Sequence, residues 1–216
     1  MAKIIVIGGN GYAGSHIVRE AAARRHEVVS LGRSQPAEPV PGVRHETGSA
    51  ADLETLERVI AGADVVVGAL SPFQPDLAAQ FISIYRAALA PIARAGARFV
   101  VIGGFSGLRP APGAPRFIDS GDVPPEFLDG ARATHDAFDL LQAEAPQALD
   151  WLFVSPGAQF GAFAPGERRG VYRKSGDVAL FDAEGKSAIG GADFALAVVD
   201  EIESPTLRRD QIHFAY

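Results

Sequence analysis

Three glycines, Gly8, Gly11 and Gly14, stand three residues apart in IIVIGGNGYAGSHIV, residues 4 to 18, between two apolar runs. Glycine inside a regular element costs up to about 1 kcal/mol relative to alanine. A turn with four glycines in seven positions therefore needs backbone without side chains. The chemistry that asks for this is pyrophosphate binding. Gly8 permits a tight turn out of a strand, Gly11 lets the backbone approach the phosphates with no Cβ in the way, and Gly14 lets a helix pack close to the sheet. Asn10 is counted among the ligand contacts of the same turn. The helix that follows would offer its unpaired amides, those of Tyr12 and Ala13 first, with the positive end of its dipole toward the anion. Placed after a first strand, the pattern reads as a dinucleotide-binding turn.

The tip of the second strand decides which dinucleotide. A preference for NAD goes with Asp or Glu there, accepting from the ribose 2′-hydroxyl. This chain reads SLGRSQ, with Arg33 nineteen residues beyond Gly14 and no acid. Arg33 can grip a 2′-phosphate with paired donors and Ser34 can assist, so NADP(H) is expected over NAD(H). Asp52 and Leu53 fall where the loop after the third strand would flank the adenine, and Asp52 also reads as a helix N-cap. Ala69, Leu70 and Ser71 fall at the carboxyl end of the fourth strand. Ligands lie there in open α/β sheets, beside the topological switch point.

The elements that must hold these residues follow from the hydrophobic pattern. IIVIG (4–8), EVVSLG (27–32), VRHET (43–47), VVVGAL (65–70) and RFVVIGG (98–104) read as strands. Helices are expected over 14–25, from Asp52 with Leu53, Leu56, Val59 and Ile60 on one face, and over 76–95. The stretch 105–130 is rich in Pro and Gly and too long for an ordinary connection, which marks a functional loop. A helix over 130–145 and the strand LDWLFVSP (149–156) come next. Residues 157–190 are irregular, with short strands in GVYRK and VALFD. A helix over 191–203 and an edge strand, QIHFA, close the chain. The strands are nearly continuous in apolar residues and alternate with helices. This predicts an α/β fold of the Rossmann type, doubly wound, with a mainly parallel sheet covered by helices on both faces. One domain is expected over 1–216, with 157–190 as small substrate-side loops.

Composition narrows the function classes. With 47% hydrophobic residues in 216, the chain can build a sizeable core. A net charge of −6 gives no attraction to nucleic acid or anionic membranes. The absence of cysteine removes disulfides, thiolate nucleophiles and Cys-based zinc sites. The five histidines show neither His-x-x-x-His nor His-x-x-Glu-His spacing, so no metal site is expected. No Gly-x-Ser-x-Gly elbow occurs. The strand pattern begins by Lys3, leaving no room for a signal peptide, and no apolar run reaches the roughly 18 residues of a membrane span. A soluble cytoplasmic protein is expected.

The segments KIIVIGGNGYAGSHIV, GADVVVGAL, RFVVIGGFSGLRPAPG, LDWLFVSPGAQF and IGGADFALAVVDEIE, with the arginine after strand two, carry a resemblance over nearly the whole chain. They resemble the atypical short-chain dehydrogenase/reductases, in particular the small NAD(P)H-binding group that holds NADH-flavin reductases and biliverdin-IXβ/flavin reductase. By this resemblance Pro156, Gly157 and Ala158 would lie against the nicotinamide, with Pro156 and Ala158 as cofactor contacts. Ser106 falls where the superfamily keeps its active-site serine and could bond a substrate carbonyl or the nicotinamide; beside Gly104 and Gly107 it also reads as a turn former. His135 falls close to a histidine position of the flavin and biliverdin reductases. It could donate a proton or shape the pocket, and it reads equally as a helix-surface residue bordering Phe138 and Leu141.

The wider superfamily's Tyr-x-x-x-Lys proton donor has no counterpart. None of Tyr12, Tyr85, Tyr172 and Tyr216 has a lysine four positions on. The flavin and biliverdin reductases also lack that pair. The resemblance therefore implies hydride transfer to an extended conjugated acceptor, which needs positioning more than an enzyme acid. The expectation is an NADP(H)-dependent reductase of a flavin-like small molecule, monomeric or homodimeric, with no nucleic-acid or membrane partner. The alternatives are a non-catalytic NADP-sensing regulator of the NmrA type and an enzyme like the nucleotide-sugar epimerases and dehydratases. The last normally needs the Tyr/Lys pair and a larger substrate domain.

Overall fold

The computed structural model describes residues 1–216, apart from the side chains of Pro75 and Asp76. In chain order the elements are β1 (Lys3–Ile7), α1 (Tyr12–Ala23), β2 (Glu27–Gly32), β3 (Arg44–Thr47), α2 (Leu53–Ile60), β4 (Val65–Gly68), α3 (Pro75–Ala78) and α4 (Phe81–Ala95). Then come β5 (Arg98–Ile102), a single 3-10 turn (Phe105–Gly107), α5 (Phe117–Ser120), α6 (Pro125–Glu144), β6 (Trp151–Ser155), β7 (Arg173–Ser175), α7 (Gly191–Glu203) and β8 (Asp210–Ala215).

Consecutive β1 residues Ile4, Ile5, Val6 and Ile7 are all buried, which explains why the strand's sequence does not alternate. Ile4 and Val6 face a layer formed by α1 and α7, with Ile17, Val18, Phe194 and Val198 among the contacts. Ile5 and Ile7 face the opposite layer, where α2, α4 and α6 supply Leu56, Val59, Tyr85, Ile92 and Phe138. Each such side chain contributes about 1.5–3 kcal/mol on full burial, so a polar substitution on either face of β1 would remove core from one helix layer.

The eight strands form one sheet in the order β3-β2-β1-β4-β5-β6-β8-β7. All pairs are parallel except β7 with β8. The chain winds outward from β1 to β3, then returns past β1 to β4. The switch point between β1 and β4 opens a crevice at their carboxyl ends, the place such sheets bind ligands. This is the Rossmann-type fold expected from the pattern of runs.

Several boundaries differ from the sequence reading. QIHFA was expected at an edge, but β8 lies between β6 and β7, and the short antiparallel β7 takes the edge. The burial of Ile212, His213, Phe214 and Ala215 in succession is that of an inner strand. α6 starts at Pro125, five residues before the expected start, because proline fits the first turn of a helix, where its missing N–H costs nothing. The helix expected over 76–95 is two helices, α3 and α4. α1 begins at Tyr12, so Tyr12 and Ala13 belong to its first turn. Of the two short strands expected in 157–190, GVYRK supplies only the start of β7. VALFD forms no strand, only a single bridge from Val178 to Arg109.

Candidate cofactor site

The glycines after β1 serve different ends. Gly8 has φ +84°, and a Cβ there would stand 2.6 Å from the Ala69 carbonyl oxygen. A Cβ on Gly14 would stand 2.2 Å from the Gly8 oxygen. Both are glycine because the fold leaves no room for anything else. Gly11 is different. Its backbone is extended, and its Cβ would come no closer to protein than 3.3 Å, at the Gly8 oxygen. Gly11 lines the cleft described next. α1 starts directly after it with no side-chain cap and no acidic residue in its first turn. The amides of Tyr12, Ala13 and Gly14 have no partner among the described residues, which leaves donors and a positive dipole end for an anion.

A cleft of about 180 Å³ opens at the carboxyl ends of β1, β2, β3 and β4. Gly8, Asn10 and Gly11 form one side, Arg33 and Ser34 the β2 side, and Ala69, Leu70 and Ser71 the β4 side. The Asn10 side chain donates to the Ser34 carbonyl at 2.5 Å and ties the glycine turn to the β2 tip. Arg33 donates to Gln74 Oε1 at 2.8 Å, reaching from the β2 tip to the loop after β4. Arg33 is the charged group among the described lining residues, and no carboxylate is among them.

Asp52 and Leu53 lie outside this lining. Asp52 caps α2, accepting from the Thr55 amide at 3.3 Å and the Thr55 hydroxyl at 2.5 Å. The hydroxyl holds its carboxyl below the usual carboxylate range. The residues that line the cleft on the β3 side are Gly48, Ser49 and Ala50. A sequence signal was available, since Gly48 follows a strand directly, as Gly8 does; in the structure a Cβ on it would stand 2.8 Å from Thr55 Cγ2. Gln74 and Leu77 also line the cleft and carried no sequence signature.

Ser106 and His135 lie further along the same edge of the sheet, outside the cleft. Ser106 sits in the 3-10 turn after β5, partly buried. The His135 ring of α6 stands close to Gly107, where a Cβ would be 3.2 Å from Nδ1. The ring stacks on Phe138 and faces Asp139 at 3.9 Å. The fold thus brings the Ser106 turn and His135 side by side. Arg116 joins them, donating to the Gly107 carbonyl and to Gln211 Oε1. Pro156 is buried and Ala158 exposed at the end of β6. Between them Gly157 packs on the Ala188 backbone, with a Cβ 2.8 Å from its nitrogen.

All four tyrosines are engaged in the fold. Tyr12 OH donates to the Pro165 carbonyl and accepts from the Gly191 amide. Tyr172 OH donates to Asp200, and burial with that carboxylate pushes its pKa up to about 12. Tyr216 OH donates to Asp193 and accepts from the Gly190 amide. Tyr85 is fully buried against Gly68, and burial raises its pKa. A tyrosinate near neutral pH has no support in any of these settings.

The chain belongs to the NAD(P)H-binding family, whose model matches residues 8–205. Among solved structures, a candidate epimerase from Bacteroides thetaiotaomicron is 32% identical with a TM-score of 0.88, covering 100% of this chain and 97% of that one. A candidate exported protein from Burkholderia pseudomallei is 35% identical with a TM-score of 0.86, covering all of both chains. A candidate NADH-flavin reductase from Streptococcus pneumoniae is 30% identical with a TM-score of 0.85, covering 100% and 99%. No helix among the described residues is long and apolar enough to cross a membrane.

Proposed function

We propose that this protein is an NADP(H)-dependent reductase that passes hydride to a flavin-like conjugated small molecule. The observation that carries the cofactor choice is Arg33, which lines the cleft at the β2 tip where a 2′-phosphate would lie. Ser34 and the bridging Gln74 add neutral donors beside it. The cleft-lining Gly11 and the open first turn of α1 fit a pyrophosphate. When bound, the reduced nicotinamide supplies the hydride.

The acceptor class follows from what the chain does not offer. All four tyrosine hydroxyls are committed or buried, and no Tyr-x-x-x-Lys pair exists. Reduction of an isolated carbonyl or turnover of a sugar nucleotide would need such an acid and base. A conjugated ring spreads the incoming charge over many atoms and can take its proton from solvent. The description of the Streptococcus pneumoniae protein agrees with this reading.

The test is an oxidation assay with NADPH and NADH against a panel of flavins, quinones and tetrapyrroles, repeated with Arg33→Ala. Loss of charge-assisted bonds worth about 1.5–3 kcal/mol should weaken NADPH binding roughly 10- to 150-fold and leave NADH nearly unchanged. Equal losses for both cofactors would remove the NADP assignment. Tight NADPH binding with no oxidation across the panel would favour a cofactor-sensing regulator.

A further inference from the structure

The segment between β4 and α4 has two faces. Ser71, Gln74 and Leu77 turn into the cofactor cleft. Phe73 turns away from it and lies on α6, edge to face with Phe127 at 6.2 Å between ring centroids and an interplanar angle of 77°. A Cβ on Gly130 would stand 2.3 Å from the Phe73 ring. Glycine is unfavourable inside a helix, and here it keeps a slot in α6 for that ring. One turn further along α6, Thr134 faces Gly104 beyond the end of β5, with a Cβ there 3.3 Å from Thr134 Cγ2. The two phenylalanines nevertheless remain 55% and 52% exposed.

We infer that Phe73 and Phe127 form the aromatic wall of the acceptor site, and that its occupant is the flat conjugated ring of the hydride acceptor. The inference rests on the reductase reading. Position favours this occupant, because the wall starts one residue from the cleft lining on the same short segment and continues along α6 to the carboxyl end of β5. Chemistry favours it as well. Two rings set edge to face present a π-face and an edge, which suits offset or T-shaped contact with another aromatic system. A sugar would find no partner for its hydroxyls on either ring.

The wall can be tested on the full chain with riboflavin as the ring probe. Quenching of riboflavin fluorescence by the protein with saturating NADP⁺ gives its Kd, and NADPH oxidation gives acceptor KM and kcat separately. Phe73→Ala should raise riboflavin Kd and acceptor KM about 10-fold, with NADPH Kd within about 2-fold. Phe73→Tyr should restore binding, since it keeps the ring. Gly130→Ala, a helix-favouring change, should displace the Phe73 ring and weaken riboflavin in the same direction. Phe127→Ala provides a second variant should Phe73→Ala fail to fold. Unchanged riboflavin Kd in a folded Phe73→Ala or Phe127→Ala variant overturns the inference, as does a wild type that binds NADPH but no riboflavin. Riboflavin binding that depends on Phe73 in a protein that never oxidises NADPH would uphold the wall and overturn the reductase reading alone.

Discussion

Gly8 and Tyr216 hold their surroundings by opposite means. Gly8 acts by lacking a side chain, which lets the Ala69 carbonyl come within 2.6 Å of where a Cβ would stand. Tyr216 acts by the reach of one. Its hydroxyl donates to buried Asp193 at 2.6 Å, and its ring carries the Arg169 guanidinium at 3.9 Å. Asp193 in turn accepts from the amides of Arg169 and Gly170, and these bonds with Tyr216 hold its carboxyl below the usual range against the effect of burial. The β1 end of the ligand edge is thus shaped by missing atoms, close in sequence. The β6–β8 end is shaped by side chains that join residues far apart in the chain. At the first end, single substitutions can separate binding from stability. At the second, they should act on stability first.

The sharpest way to break this contrast is at the glycines. Gly11→Val should weaken dinucleotide binding by about 100-fold or more, about 2.7 kcal/mol, because the side chain fills ligand space. Its melting temperature should move little. Gly8→Ala should instead lower the melting temperature clearly, since both φ and the Ala69 carbonyl oppose a side chain. Thermal unfolding and fluorescence titration on both variants decide the matter. A folded Gly11→Val variant with full affinity would reduce the whole turn to a folding device.

His213 probes the other end. It is fully buried, its Nδ1 donates to the Ser155 carbonyl at 2.9 Å, and Nε2 has no partner among the described residues. Burial pushes its pKa down to about 4, with Arg173 acting the same way and the Ser155 carbonyl against it. The unfolded chain takes up this proton near pH 6.5. The stabilisation is therefore complete above that pH and is lost as pH falls toward 4, up to about 3 kcal/mol in all. Urea unfolding between pH 7 and 4.5 should show this slope, and His213→Phe should flatten it. An unchanged slope would place the acid sensitivity elsewhere.

The smallest effects are expected where the two ends meet. Ser106→Ala and His135→Ala should each lower acceptor-dependent NADPH oxidation less than about 10-fold, below the roughly 10²–10⁴-fold typical of general acid catalysis. A larger loss at His135, within that roughly 10²–10⁴-fold range, would make it a proton donor.

The same contrast explains what could be read from the sequence. The sheet, its helix layers and the cleft's Gly8, Gly11, Arg33 and Ala69 were legible, because strand runs and tight turns are local and steric. The placement of β8 was not, since an apolar run cannot say which strand will pair outside it. Asp52 carried two readings; the helix cap is seen, and the residue stands outside the cleft lining. Gln74 and the Phe73–Gly130 contact left no trace in sequence spacing, since each depends on residues from different elements meeting in space. Tyr12 was read for its backbone amide, while its side chain links α1 to the start of α7, 179 residues away.

The placement of β7 has a consequence for solubility. An unpaired strand edge is a template on which another chain can grow, and long, flat, apolar edges invite aggregation. Here the central strands are apolar on both faces, but the two outer ones are β3, with 4 residues, and β7, with 3. β3 reads Arg-His-Glu-Thr and β7 Arg-Lys-Ser. Each edge is short and carries charge, so neither offers a second molecule much backbone to pair with. The apolar β8 is shielded by β7 from that kind of encounter.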